Sequence, residues 1–126
     1  MSIAFEKRVI KMLNDYLENK NNIIFTTLML ECDDLPVEKT AEYGAALSQY
    51  KREAAAVDAL VEALPEKERI VINGRFMSEP GKTCKELCEI IGYTRQSVIR
   101  LKNRAIKRMA KTLENVCKYT DFPVNS

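Results

Sequence analysis

Residues 83–111 read TCKELCEIIGYTRQSVIRLKNRAIKRMAK. Thr83 precedes Glu86 by three residues, the spacing of a capping box, which predicts a helix opening at Cys84. Leu87 and Ile91 supply its apolar face, and Cys88 is a small side chain where another helix must come close. Gly92 can adopt positive φ and end that helix. Tyr93 completes a short turn, and Thr94 is a good N-cap for a second helix. At about 100° per residue, Val98, Leu101, Ala105 and Met109 of the second helix fall on one arc. Arg95, Gln96, Ile99, Arg100, Asn103 and Lys107 fall on the opposite one. Each piece alone is common, but their order and spacing together predict a helix-turn-helix.

Charge gives that helix a task. From Arg95 to Lys111 there are seven Lys or Arg and no Asp or Glu. A merely solvated face mixes signs, because opposite charges four apart stabilise a helix. Seven cations without counter-charges repel one another, a cost that a polyanion removes. Arg binds guanine bidentately in the major groove, Gln pairs with adenine, and an aliphatic side chain meets the thymine methyl. Readers of this geometry use the N-terminal residues of the second helix. Arg95, Gln96, Ile99 and Arg100 are therefore the base-edge candidates. Lys102, Arg104, Lys107 and Arg108, with the capping residues Thr83 and Thr94, are the phosphate candidates.

Upstream, Leu64-Pro65 opens a helix through PEKERIVINGRF, with Glu66 and Glu68 near the positive end of its dipole. Ile70, Val71 and Phe76 form its apolar face, and MSEPGK is a loop. Before it, Tyr43, Leu47, Tyr50, Ala54, Val57, Val61 and Leu64 step alternately by four and three. That heptad stripe marks one long helix, and two readings stay open: core packing within the chain, or a homodimer seam along Tyr43–Leu64. Phe5, Val9, Met12, Leu13, Tyr16 and Leu17 predict a first helix that stops near Asn19–Asn22. Ile23 to Leu30 is short and apolar, and without strand partners elsewhere it reads as helix, ended by the segment before Pro36. The fold class is all-α. Residues 1–64 form a helical N-terminal region for dimerisation or partner contact, 65–118 the DNA-binding domain and 119–126 a tail.

Composition excludes several functions. Residues 1–64 carry seven Lys or Arg against eleven Asp or Glu, a net of −4, whereas residues 65–126 carry thirteen against seven, a net of +6. An acidic half is thus joined to a basic one. The chain has no histidine, so Ser-His and Cys-His catalysis and imidazole zinc sites are absent. Cys84 and Cys88 stand one turn apart, but small, fairly apolar packing residues are the better reading of all four cysteines, as reduced thiols. GRFMSEPGKT lacks the second glycine and the preceding strand of a P-loop. No enzyme, cofactor or metal is expected. Neither a signal peptide nor a membrane span is apparent, which points to the cytoplasm.

LPEKERIVINGRF and KTCKELCEIIGYTRQSVIRLKNRAIKRM together resemble the fourth conserved region of bacterial sigma factors. The shared pattern comprises Leu64, Pro65, Arg69, Arg75, Phe76, Thr83, Glu86, Leu87, Gly92, Thr94, Arg95, Val98, Arg104, Ala105 and Ile106. The resemblance implies a helix-turn-helix that recognises a promoter element, with Arg95, Gln96 and Arg100 at the main base-contact positions. Major sigma factors often carry Glu at Gln96 and Gln at Arg100, which implies a different preferred sequence, and Gly74 stands where an apolar residue is usual. The first 64 residues show no region-two signature, and the chain has no tryptophan. The layout is similar to small phage-encoded transcription activators of the RinA and ArpU type. Double-stranded DNA is the implied partner and RNA polymerase a second. The alternative reading is a polymerase-binding adaptor that touches DNA little.

Overall fold

The computed structural model describes residues 3–120, and the described residues form five helices and no strand. They are α1 (Ile3–Leu30), α2 (Val37–Glu62), α3 (Glu66–Phe76), α4 (Cys84–Ile91) and α5 (Arg95–Thr120). The all-α architecture follows from the sequence periods, and three helix starts lie where Pro36, Pro65 and Thr83 place them. Pro36 and Pro65 occupy the N-cap positions of α2 and α3 with extended backbone, and their carbonyls accept from Thr40 and Arg69 N–H at 2.9 Å.

The expected stop at Asn19–Asn22 is absent: α1 runs unbroken for 28 residues. Asparagine costs only a few tenths of a kcal/mol in a helix interior, roughly 0.7 at most, and no Gly or Pro interrupts the chain before Pro36. Asn19 is buried, and so is Thr26, whose hydroxyl donates back to the Asn22 carbonyl at 2.7 Å. Tertiary packing thus holds the weak segment in register. At the other end, α5 continues through Thr120, so the backbone of the first two tail residues is helical. The rest of the expected tail, 121–126, lies outside the described residues.

Two cores are threaded on α5. Toward its C-terminus, Ala105, Ile106, Met109 and Ala110 meet Val9, Leu13 and Tyr16 of α1 and Ala54, Val57, Leu60 and Val61 of α2, with Leu64 and Ile72 completing the cluster. Toward its N-terminus, Val98 and Leu101 meet Leu87 of α4 and Val71 of α3. Adjacent residues of α3 therefore serve different cores, Val71 one and Ile72 the other. The C-terminal half of the α2 heptad stripe is consumed in the first core: Ala54, Val57, Val61 and Leu64 are buried there, while Tyr43, Leu47 and Tyr50 are half-buried outside that cluster. A dimer seam along the whole of Tyr43–Leu64 would have to take Ala54, Val57, Val61 and Leu64 from the first core.

Tyr16 links α1 to α2 by donating to Asp58 Oδ1 at 2.7 Å. Burial, followed by that hydrogen bond to a carboxylate, pushes its phenol from the ordinary 10.0 up to about 12. The folded chain therefore holds this proton more tightly than the unfolded one. The resulting stabilisation is complete below pH 10, and it drains away as pH rises toward about 12. We expect the melting temperature to fall across that window in wild type and to fall less in Tyr16→Phe, as followed by circular dichroism.

Candidate nucleic-acid interface

The interface is built from two capped helices and the turn between them. Thr83 Oγ1 accepts from the Glu86 N–H at 3.2 Å, and the Thr83 N–H donates to Glu86 Oε1 at 2.9 Å. This is the reciprocal capping box read from the sequence. The Thr83 backbone N–H holds the Glu86 carboxyl below the usual carboxylate range, with lesser help from the Thr83 side chain and Lys82. The charged, cap-forming state therefore persists on acidification below that range. Gly92 ends α4 at φ +70°, donating its N–H to the Cys88 carbonyl at 2.8 Å. A Cβ there would meet no neighbour within 4 Å, so the demand for glycine is one of backbone conformation rather than space. Thr94 Oγ1 then accepts from the Ser97 N–H at 3.2 Å and opens α5.

Three contacts fix the pair against the rest of the fold. Leu87, 1% exposed, is the knob of α4 in the second core. Gly74 explains how closely it sits: a Cβ on Gly74 would lie 2.7 Å from Leu87 Cδ2. The glycine at a usually apolar position thus makes room for α4. Across the turn, Lys67 of α3 places its ammonium 4.3 Å from the ring centroid of Tyr93. Cys84 and Cys88 pack against the Leu87 cluster, and burial pushes the Cys88 thiol up.

On α5 the exposed polar side chains form a stripe. Gln96, Arg100, Asn103, Lys107 and Lys111 are all exposed and follow one another at spacings of four, three, four and four. The stripe is about 22 Å long at 1.5 Å per residue. Arg104 borders it on one side and Ile99 on the other, with Arg95 farther round beyond Ile99; all three are exposed, Ile99 by 40%. Gln96, Ile99 and Arg100 thus stand together on the first turns of α5, outside both cores, while Arg95, exposed at the helix start, lies about 140° around the helix from Arg100. Arg104 and Lys107 lie farther along the same face.

The remaining phosphate candidates divide. Lys102 is half-buried, on the arc that carries Val98, Ala105 and Met109, nearly opposite Arg100. Arg108 turns toward α3, where its Nε lies 3.0 and 3.1 Å from the two oxygens of Glu68. Glu68, read from sequence as a partner of the helix dipole, is only 2% exposed. The pair joins positions forty residues apart, a distance that helix periodicity does not reveal. Thr83 and Thr94 spend their hydroxyl acceptors on their own helices. Lys85, which sequence reasoning left out, lines a recess with Thr83, Cys84, Cys88 and Arg95 at the openings of α4 and α5. Its signal was available, as a lysine in the first turn after the capping threonine.

Residues 60–111 match the family described as Sigma-70, region 4. This segment is a sigma-70 region 4 domain. The match begins at Leu60, four residues before the Leu-Pro entry, and so takes in the end of α2 and the buried Leu60, Val61 and Leu64 of the first core. It ends at Lys111, the last cation of the acid-free run. The four base-edge candidates and all the phosphate candidates lie within the region 4 match. No curated protein and no solved structure matches the chain. Among the described residues, no helix is long and apolar enough to cross a membrane.

Proposed function

We propose that the chain is a sequence-specific transcription regulator that docks α5 of its region 4 domain in the major groove of a promoter or operator. The observation that carries this reading is the exposed stripe from Gln96 to Lys111, free of acidic residues and set beyond a capped helix-turn-helix. Arg95, Gln96, Ile99 and Arg100 read base edges, with Arg100 and Gln96 as the bidentate groups. Arg104, Lys107 and Lys111 follow the phosphate backbone, joined by Lys85 beside the α4 N-terminus. Arg108 serves mainly to hold α5 against α3. The likeness in layout to small phage activators of the RinA and ArpU type supports a regulator that acts without the other sigma regions, with RNA polymerase as the protein it would serve.

The test is a comparison of two substitutions on a selected duplex and a random one. Arg100→Ala should cost about 1–3 kcal/mol on the selected duplex and relax preference at one base position, whereas Lys107→Ala should weaken both duplexes alike. If both substitutions weaken both duplexes equally, Arg100 does not read bases. If polymerase binding survives Arg95→Ala with Arg100→Ala while wild-type duplex binding is negligible, the chain is an adaptor.

A further inference from the structure

The core face of α1 carries Val9, Leu13 and Tyr16, and a second apolar series runs beside it, of which Leu17 also packs against that core. Ile3, Ile10, Leu17 and Ile24 recur every seven residues, and Leu28 follows one turn after Ile24. Ile3 is 69% exposed, Ile24 59% and Leu28 60%, with Ile10 at 39% and Leu17 half-buried. At 3.6 residues per turn this series drifts by about 20° per heptad, the drift that a left-handed supercoil with another helix removes. Large aliphatic side chains repeated at this period and left in water mark a face that another helix covers.

The residues between them indicate what the partner is. Lys7, Asn14, Asn21 and Leu28 form the alternate positions of the same seam, and all four are exposed. Paired in register and parallel with an identical helix, each isoleucine and leucine layer meets its own copy. Asn14 and Asn21 also meet their twins, and an amide can both donate to and accept from another amide. Asparagine at such positions fixes register and partner number. An antiparallel pairing instead sets Ile10 against Asn21 and Leu17 against Asn14. In the parallel arrangement Lys7 meets its own copy near the open end of the seam, where Glu6 of the partner helix flanks it, while Lys11 is held within its own helix by Asp15 at 2.7 Å.

We propose that this outward face of α1 is a parallel two-helix seam with a second copy of the same chain. The seam stands in place of the dimer reading of the α2 stripe, four of whose residues, Ala54, Val57, Val61 and Leu64, the monomer buries. Because the N-terminal part of α1 packs against α5, parallel pairing brings both helix-turn-helix modules to the same end of the dimer. That arrangement suits two half-sites, but the seam itself requires no DNA.

Sedimentation equilibrium of the full chain without DNA tests it. The expected mass is twice 14.4 kDa, falling to one chain when Ile10→Glu and Ile24→Glu are combined, with helical circular dichroism and melting retained because both positions are exposed. Direction is read from the native thiol of Cys32, exposed one turn beyond Leu28. Copper-catalysed air oxidation should give a covalent dimer that Cys32→Ser abolishes, since parallel pairing puts both thiols at one end of a helix about 40 Å long. A monomeric wild type, or a dimer indifferent to the double substitution, overturns the proposal. A dimer without the Cys32 cross-link overturns its parallel orientation.

Discussion

Val57→Asp is expected to abolish cooperative folding rather than yield a folded monomer. Val57 is 1% exposed in the core where α1, α2 and α5 meet. Removing its side chain from that core forfeits about 1.5–3 kcal/mol of burial. The carboxylate must then be buried without a partner or take up a proton, adding at least about 2 kcal/mol. Together these losses rival the whole stability of a small domain, roughly 5–15 kcal/mol. Loss of the far-ultraviolet helical signal near room temperature would place Val57 in the intramolecular core. A well-folded monomer would instead assign the α2 stripe to an interface between chains.

Arg108→Ala should also act on the fold, although the residue lies in the basic helix. Its guanidinium is the partner of a Glu68 side chain that is 3% exposed, and its own side chain is 53% exposed. Removing one member of a fully buried pair costs about 3–5 kcal/mol; the half-exposed arginine lowers this to about 2–4, because water can reach the carboxylate it leaves. A denaturant melt should show this loss, and combining Glu68→Leu with Arg108→Met should recover most of it, since an apolar pair needs neither charge. If Arg108→Ala leaves the melt unchanged and weakens DNA binding, the arginine belongs with the phosphate contacts.

The sequence was most legible where local chemistry decides structure. Thr83 with Glu86, Gly92 and Thr94 fix the helix-turn-helix because caps and positive φ act within four residues. Val98, Leu101, Ala105 and Met109 were legible as core from helical period alone. Ile106 and Ala110, buried on the other edge of α5, were not, because α1 reaches them from about a hundred residues away in sequence. The same holds for Arg108: its charge is visible in the chain, but its partner is chosen by the packing of α3 on α5. The unbroken course of α1 through Asn19–Asn22 is another tertiary decision, since the local propensities are nearly neutral there. Along α2 the heptad stripe gave the correct helix and two possible partners, and only the packing of α1 distinguishes between them.

If the stripe on α5 meets a nucleic-acid backbone, duplex binding weakens steeply as salt rises. Each phosphate contact adds about −0.9 to the slope of log K against log salt. Replacing Arg104, Lys107 and Lys111 together by alanine should therefore flatten the wild-type slope by about 2.7, while Lys102→Ala, on the half-buried arc, should change it little. A wild-type slope near zero, or a steep one that the triple substitution leaves unchanged, would show that the stripe does not meet phosphates.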